Sequence, residues 1–264
     1  MGRLDGKVAM VSGGARGLGR AMAEEFLEEG ARVMIGDVLV EDARATAKEL
    51  GPECEAIELD VTLEESWATA TKAVVDTFGG LDVLVNNAGT AEGAPFAETT
   101  LESYRRVTEV NQTGVFLGMR AAVEPMTARG GGSIVNISSI EGMVASPLII
   151  SYTASKWAVR GMTKAVAMEL APVGIRVNSI HPGHVHTGLA SQPGDDLSVK
   201  QAMIEEHSRR HAPMGRSGTP REIGKLAAFL ASDDSSYSTG SEFVADGGFI
   251  TGYPSPGDSR PVDE

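Results

Sequence analysis

The chain has 264 residues, 42% hydrophobic and 22% charged, enough for a sizeable core in one large domain or two small ones. Its formal net charge of -13 argues against nucleic acid or an anionic membrane as a partner. A single cysteine, Cys54, excludes an internal disulfide and a cysteine-based metal cluster, and reads as a buried apolar thiol.

No apolar run approaches the ~20 residues of a membrane span, and the opening MGRLDGKVAMV is broken by glycines where a leader would be apolar. Cytoplasmic location is the expectation. Short β-branched runs then alternate with helical patterns. KVAMVSG (7–13), ARVMIGD (31–37), CEAIELD (54–60), LDVLVNN (81–87), GSIVNIS (132–138), IRVNSIHP (175–182) and EFVADGG (242–248) read as strands. Their interiors are almost continuously apolar, as in strands buried on both faces of a parallel sheet. GRAMAEEFLEEG (19–30) and EESWATATKAVVDTFG (64–79) have helical spacing and serve as crossovers. The expected fold is α/β, a doubly wound, mostly parallel seven-stranded sheet in a single domain over 1–264. Ligands of such sheets bind at the carboxyl ends of the strands, so functional residues should gather there.

In chain order, the first strand runs into SGGARGLGR (12–20), where Gly13, Gly17 and Gly19 form a GxxxGxG spacing with Arg16 and Leu18. Glycines there permit a tight turn and bring a pyrophosphate close to a helix N-terminus. Arg16 can meet a 2′-phosphate, the pyrophosphate or solvent. Twenty residues past Gly17, the second strand ends at Asp37. A carboxylate there accepts both ribose hydroxyls and repels a 2′-phosphate, so NAD is expected rather than NADP. The competing role for Asp37 is a helix cap near Glu41. Asp60, with Val61 beside it, is placed to bond adenine or to cap a helix near Leu63. Asn87, Ala88 and Gly89 end the fourth strand and are small enough to pack over a cofactor.

SYTASKWAV (151–159) sets Tyr152 and Lys156 on one helix face, ~5–6 Å apart at Cβ. Tyr titrates near ~10 and Lys near ~10.4, so neither alone is a useful acid or base at neutral pH. By itself the pair reads equally as a buried Tyr with a snorkelling Lys. Residues 187–218 form an insertion with Gly/Pro breaks that reads as a substrate lid, and an irregular tail follows from about 249. No His, Cys or carboxylate spacing suggests a metal.

Taken together, SGGARGLG, NNAG, Ser139 after a strand, YTASK and the HPG after IRVNSI resemble the short-chain dehydrogenase/reductase family, with its Rossmann-like fold. GSIVNISSIEG, SKWAVRG and SSYSTGSEFVADGG look most like bacterial NAD-dependent 3α(20β)-hydroxysteroid dehydrogenases. The resemblance implies a catalytic tetrad: Tyr152 as acid–base, Lys156 as its electrostatic partner, Ser139 to orient the carbonyl, and Asn111 to hold a water. It implies that Pro182, Gly183, the main chain of Val185 and the hydroxyl of Thr187 hold the nicotinamide of NAD. It implies no metal, and a homotetramer.

Ser139 competes with Ser138 and is favoured by lying thirteen residues before Tyr152. Lys156 and the cofactor charge are expected to pull the Tyr152 pKa down; roughly three units requires about 4 kcal/mol. His184 and His186 read as loop residues, and Glu141 as a solvated loop acid or a pocket residue. Met143, Val144, Leu148, Ile149, Leu189 and Met203 are expected to face an apolar cleft suited to a steroid or similar hydrophobic secondary alcohol or ketone. A 3-oxoacyl-carrier-protein reductase shares the motifs, but its usual NADPH and acidic carrier sit poorly with Asp37 and the net charge. A non-catalytic nucleotide sensor would have a damaged tetrad, whereas all four positions are filled.

Overall fold

Alternate residues of each apolar run go to opposite faces of one sheet, so both faces need a helical cover. The computed structural model describes residues 2–186 and 197–252. Its strands are β1 (Val8–Ser12), β2 (Arg32–Asp37), β3 (Cys54–Glu58), β4 (Val83–Asn86), β5 (Gly132–Ile137), β6 (Ile175–Pro182) and β7 (Glu242–Ala245). They form one seven-stranded sheet in the order β3-β2-β1-β4-β5-β6-β7, every pair parallel.

Ala9 and Val11 of β1 point to a core shared with Met22 and Phe26 of α1 (Gly17–Glu28), Ala43 of α2 (Val40–Leu50) and Ile223 of α8 (Pro220–Ala231). Val8 and Met10 point the other way. They meet Trp67 of α3 (Glu64–Phe78), Met119 of α5 (Gly114–Ala128) and Val159 of α6 (Ile150–Leu170). The chain thus winds doubly, as expected, and its direction reverses between β1 and β4. That reversal opens the crevice in which such sheets bind ligands.

Boundaries differ from the sequence reading where local geometry intervenes. The run 242–248 stops pairing at Ala245, because Gly247 and Gly248 turn the chain away with φ of 65° and 86°. The first helix starts at Gly17 rather than Gly19, directly after the turn. Within the insertion lies α7 (Leu197–His211). Thr187 and Leu189 lie outside the described residues. Cys54 is buried, and burial pushes its thiol up to about 12, which leaves it inert. Among the described residues no helix is long and apolar enough to cross a membrane.

One brace fixes α6, the longest helix. Arg160 holds Glu242 of β7 with two hydrogen bonds of 3.0 Å each, and Lys164 joins at 3.0 Å. The cations hold the Glu242 carboxyl down to about 2. Arg160 also donates to the Gly142 carbonyl at 2.7 Å, tying the loop after β5 to the same helix.

Candidate active site

The turn after β1 depends on two absent side chains. Gly13 has φ of +66°, and a Cβ on Gly19 would lie 2.0 Å from the Gly13 carbonyl oxygen. Gly13 therefore makes the turn, and Gly19 lets α1 close against it. The Ser12 hydroxyl accepts from the main-chain nitrogens of Asn87 and Ala88 at 3.0 and 3.1 Å. Asn87 returns its amide to the carbonyls of Ser12 and Gly13, each at 3.0 Å. The Asn87 amide thus pins the turn, and the positive end of α1 is left facing the crevice.

Asp37 closes the same end. Its Oδ2 accepts from the Ala15 main chain at 3.1 Å and its Oδ1 from Leu39 at 3.0 Å. Leu39 is the N-cap residue of α2, without a side-chain bond, so Asp37 does not cap that helix. Asp60 accepts from the main chain and hydroxyl of Thr62 at 2.9 and 2.7 Å, which tightens the loop before α3. Leu63 precedes α3 without a side-chain cap, so Asp60 does not cap that helix either.

Toward the other end, Ser139, Tyr152 and Lys156 come together, all under a tenth exposed. Ser139 follows β5 and starts a turn over Ile140–Gly142, its hydroxyl accepting from the Glu141 main chain at 3.1 Å. The Tyr152 hydroxyl faces the Ser139 side chain, which favours its ionised form. Ser138 is instead spent on the Lys156 carbonyl at 3.0 Å, which separates the two serines. Lys156 donates to the Ile137 carbonyl at 2.8 Å and lies 5.4 Å from the Tyr152 ring centroid.

Burial pushes Tyr152 up to about 12, the Ser139 side chain opposing and Glu141 adding to the rise. Burial alone pushes Lys156 down to about 8. Within the chain, desolvation therefore outweighs the lowering of Tyr152 expected from Lys156.

A cavity of about 930 Å³ runs between the two ends. Gly13, Arg16, Gly17, Leu18, Asp37, Asp60, Val61, Asn87, Ala88, Gly89, Ser139, Tyr152, Lys156, Pro182, Gly183 and Val185 all line it. Gly19 does not; it stands behind Gly13. Asn111 does not either. It is fully buried in a π-helical turn, Glu109–Thr113, between α4 (Leu101–Thr108) and α5. Its side chain accepts from Thr90 N at 2.8 Å and donates to Thr90 O and Ser155 Oγ at 2.8 and 3.1 Å.

Of the apolar residues expected at the cleft, Ile149 lines it, whereas Val144, Leu148 and Met203 are exposed. Met143 is half-buried and does not line it. On α7 it is Ile204 that faces inward, one residue and about 100° of helix from Met203.

Several lining residues went unread in the sequence. Glu92 meets Arg106 with bonds of 2.6 and 2.7 Å at the cavity wall, a pairing across α4 that no spacing announces. Glu141 lines the cavity but is no solvated loop acid. It accepts from Ser146 N and Oγ at 2.9 and 2.6 Å and from Thr153 at 3.2 Å, bracing the loop before α6. His184 packs edge-on against His207 and Phe249, ring centroids 4.9 Å away in each case. His186 bonds Glu205 of α7 at 2.9 Å. Both histidines fasten α7 over the cavity's end.

Known proteins give the same picture. Residues 13–250 match the family model described as enoyl-(acyl carrier protein) reductase. The chain is 48% identical to 3-alpha-(or 20-beta)-hydroxysteroid dehydrogenase of Mycobacterium tuberculosis, over 95% of this chain and 92% of that one. It is 40% identical to an NADP-dependent (R)-specific alcohol dehydrogenase of Lentilactobacillus kefiri, covering 94% and 98%. The solved structure of a short-chain type dehydrogenase/reductase from Mycobacterium marinum matches with a TM-score of 0.87 and 34% identity, covering 94% and 97%. Strand order, the glycine turn and these relatives converge: the chain belongs to the short-chain dehydrogenase/reductase family, enzymes that interconvert a secondary alcohol and a ketone with a nicotinamide dinucleotide.

Proposed function

We propose that this enzyme is an NAD(H)-dependent hydroxysteroid dehydrogenase of the 3α/20β type. The observation that carries the chemistry is the meeting of Tyr152, Ser139 and Lys156 on one wall of the cavity that Asp37 and Gly13 close at its far end. The Tyr152 hydroxyl gives a proton to, or takes one from, the substrate oxygen. Ser139 orients that oxygen with a second hydrogen bond, and Lys156 supplies positive charge beside the pair. The dinucleotide, when bound, supplies the hydride exchange at its nicotinamide ring. Gly13, Gly17 and Leu18 would hold its pyrophosphate, Asp60 and Val61 its adenine, and Pro182, Gly183, Val185 and Thr187 its carboxamide end. The glycine turn fits that group, since Gly13, Gly17 and Leu18 line the cavity where α1 begins. Gly19→Ala should weaken NADH binding at least ~10-fold and lower Tm by a few degrees, because its Cβ has no room; fluorescence titration and melting read both.

The preference for NAD rests on Asp37. Two main-chain N–H groups hold its carboxylate in place at the cavity wall, where a 2′-phosphate would meet it. The NADP-dependent relative means that this scaffold accepts either dinucleotide, so the residue that ends β2 has to decide. Asp37→Ala is expected to raise KM for NAD by ~10–100-fold and to move the NADP/NAD ratio of kcat/KM at least ~10-fold toward NADP. An unchanged ratio would remove the argument.

The steroid class rests on the hydroxysteroid dehydrogenase relative and on the apolar wall that Ile149 and Ile204 give the substrate end. We read α7 as part of a lid over that end, held by His186 and Glu205. A homotetramer belongs to the same reading, with exposed Phe116 and Trp157 on α5 and α6 as candidate contacts; light scattering measures it. The deciding assay sets NAD+ against steroid alcohols, simple secondary alcohols and 3-hydroxyacyl thioesters. Highest kcat/KM on steroids supports the reading, and preference for thioesters replaces it with a carrier-protein reductase.

A further inference from the structure

We propose that His181, which opens the HPG stretch but has no part in the implied tetrad or cofactor set, is a positioning residue for Ser139. It is fully buried near the end of β6 and touches no part of the cavity. Its Nδ1 lies 2.9 Å from the Ser139 carbonyl oxygen and its Nε2 lies 2.9 Å from Ser179 Oγ.

The partners fix the tautomer. A carbonyl only accepts, so Nδ1 carries the proton and Nε2 receives the Ser179 hydroxyl. The alternative acceptor for that hydroxyl, the Ser241 carbonyl, is farther away at 3.5 Å. Burial holds the imidazole pKa below its usual value, which keeps this neutral form. The bond to the Ser139 carbonyl and Glu242 pull the other way, while Arg160 and Lys156 favour neutrality.

Position in the sheet shows why the bond matters. Pairing of β5 with β6 ends at Ile137↔Ile180, and the last rung beyond it runs from Ser138 N to Ile180 O at 2.8 Å. Ser139 is the first residue past the ladder. Its carbonyl has two donors, Gly142 N at 2.9 Å within its own turn and His181 Nδ1 across the sheet. Only the second ties the Ser139 peptide to the rigid strand. Without it the peptide plane can rotate, and the hydroxyl that meets Tyr152 rotates with it. Misplacement by about 1 Å at a reacting centre costs on the order of 10²-fold in rate.

This inference rests on Ser139 orienting the substrate oxygen, and the test separates the two. His181→Asn places an amide N–H near Nδ1, His181→Gln reaches toward Nε2, and His181→Leu supplies neither. Each is measured for kcat, KM, NADH binding and Tm, alone and with Ser139→Ala. Leu and Gln should lower kcat ~10–100-fold with NADH binding intact, while Asn stays within about threefold. In the Ser139→Ala background, His181→Leu should cost no more than about twofold, because the group it positions is gone. Rescue by Gln rather than Asn, or a full multiplicative loss in that background, would overturn the inference and leave a structural histidine. So would a His181→Leu protein within twofold of wild type. Full turnover by Ser139→Ala alone would remove the Ser139 reading itself, and this inference with it. If the Leu protein does not fold, the Asn/Gln contrast decides.

Discussion

Tyr152→Phe is expected to lower kcat by ~10³–10⁴-fold while NADH binding stays within about threefold. The change removes one hydroxyl from a side chain that is otherwise buried in place, so the fold has little to lose. General acid–base groups contribute about 10²–10⁴-fold, and the upper half of that range fits a residue with no substitute nearby. Ser139 can donate to the substrate oxygen but is too weak an acid to replace a phenol.

The protonation states give the prediction a direction. With Tyr152 held near 12 and Lys156 near 8, the pair at pH 7 is a neutral phenol beside an ammonium. In the proposed mechanism ketone reduction uses the phenol as it stands, so its rate should be flat through neutral pH. Alcohol oxidation needs the phenolate, so its rate should climb as pH rises. The apparent pKa values will belong to the coupled pair, shifted by the charge of the bound dinucleotide. Phe at 152 should abolish the climbing limb as well as the turnover. Retained turnover, or a limb unchanged in the Phe protein, would show that another group moves the proton.

What the sequence made legible follows from what its patterns encode. β1, β2, β4, β5 and β6 could be read because strands covered on both faces leave near-continuous apolar runs, and the site follows from where such strands stop. Gly13, Asp37 and Tyr152 could be found because each sits at a fixed distance from a strand end or a helix start. Residues whose work lies in long-range contacts were not readable. Ser155 looks like a small spacer, yet it links Asn111 to the Tyr152 carbonyl at 3.1 and 2.7 Å. The π turn that carries Asn111 has no composition of its own, and the two-way pairing of Asn111 with Thr90 joins residues 21 positions apart. Met203 reads as a cleft residue where Ile204 stands instead, because α7 is weakly amphipathic, and a one-residue error rotates a helix by about 100°. Leu148 hides a further feature: a non-glycine residue at φ of 73°, whose carbonyl accepts from Ala94 at 2.8 Å. The strain there, at the loop before α6, is a cost that local sequence gave no reason to expect.

Lys156→Met should remove turnover and yet raise Tm at neutral pH. Burial drives the Lys156 pKa from 10.5 to about 8, so the folded state holds a charge that it disfavours. That depression corresponds to about 3 kcal/mol of destabilisation when the lysine is charged in both states. Met matches the stem, removes the charge, and leaves the Ile137 carbonyl without its donor, which returns about 1–2 kcal/mol of cost. The net is a gain of about 1–2 kcal/mol, or roughly 2–6 °C in a chain of this size.

The sign reverses with pH. Below about 8 both folded and unfolded lysine are charged, and the wild type carries the full penalty. Between about 8 and 10.5 the unfolded state binds more protons than the folded one, so wild-type stability rises relative to the Met protein. Near pH 10.5 the penalty is gone, only the lost hydrogen bond remains, and the wild type should melt no earlier than the variant. Melting both proteins at pH 7 and pH 10 checks this. A Met variant less stable by the same margin at both pH values would mean that Lys156 carries no buried-charge penalty. With turnover lost in the same variant, the comparison separates two properties of one ammonium: it strains the fold, and the chemistry at Tyr152 depends on it.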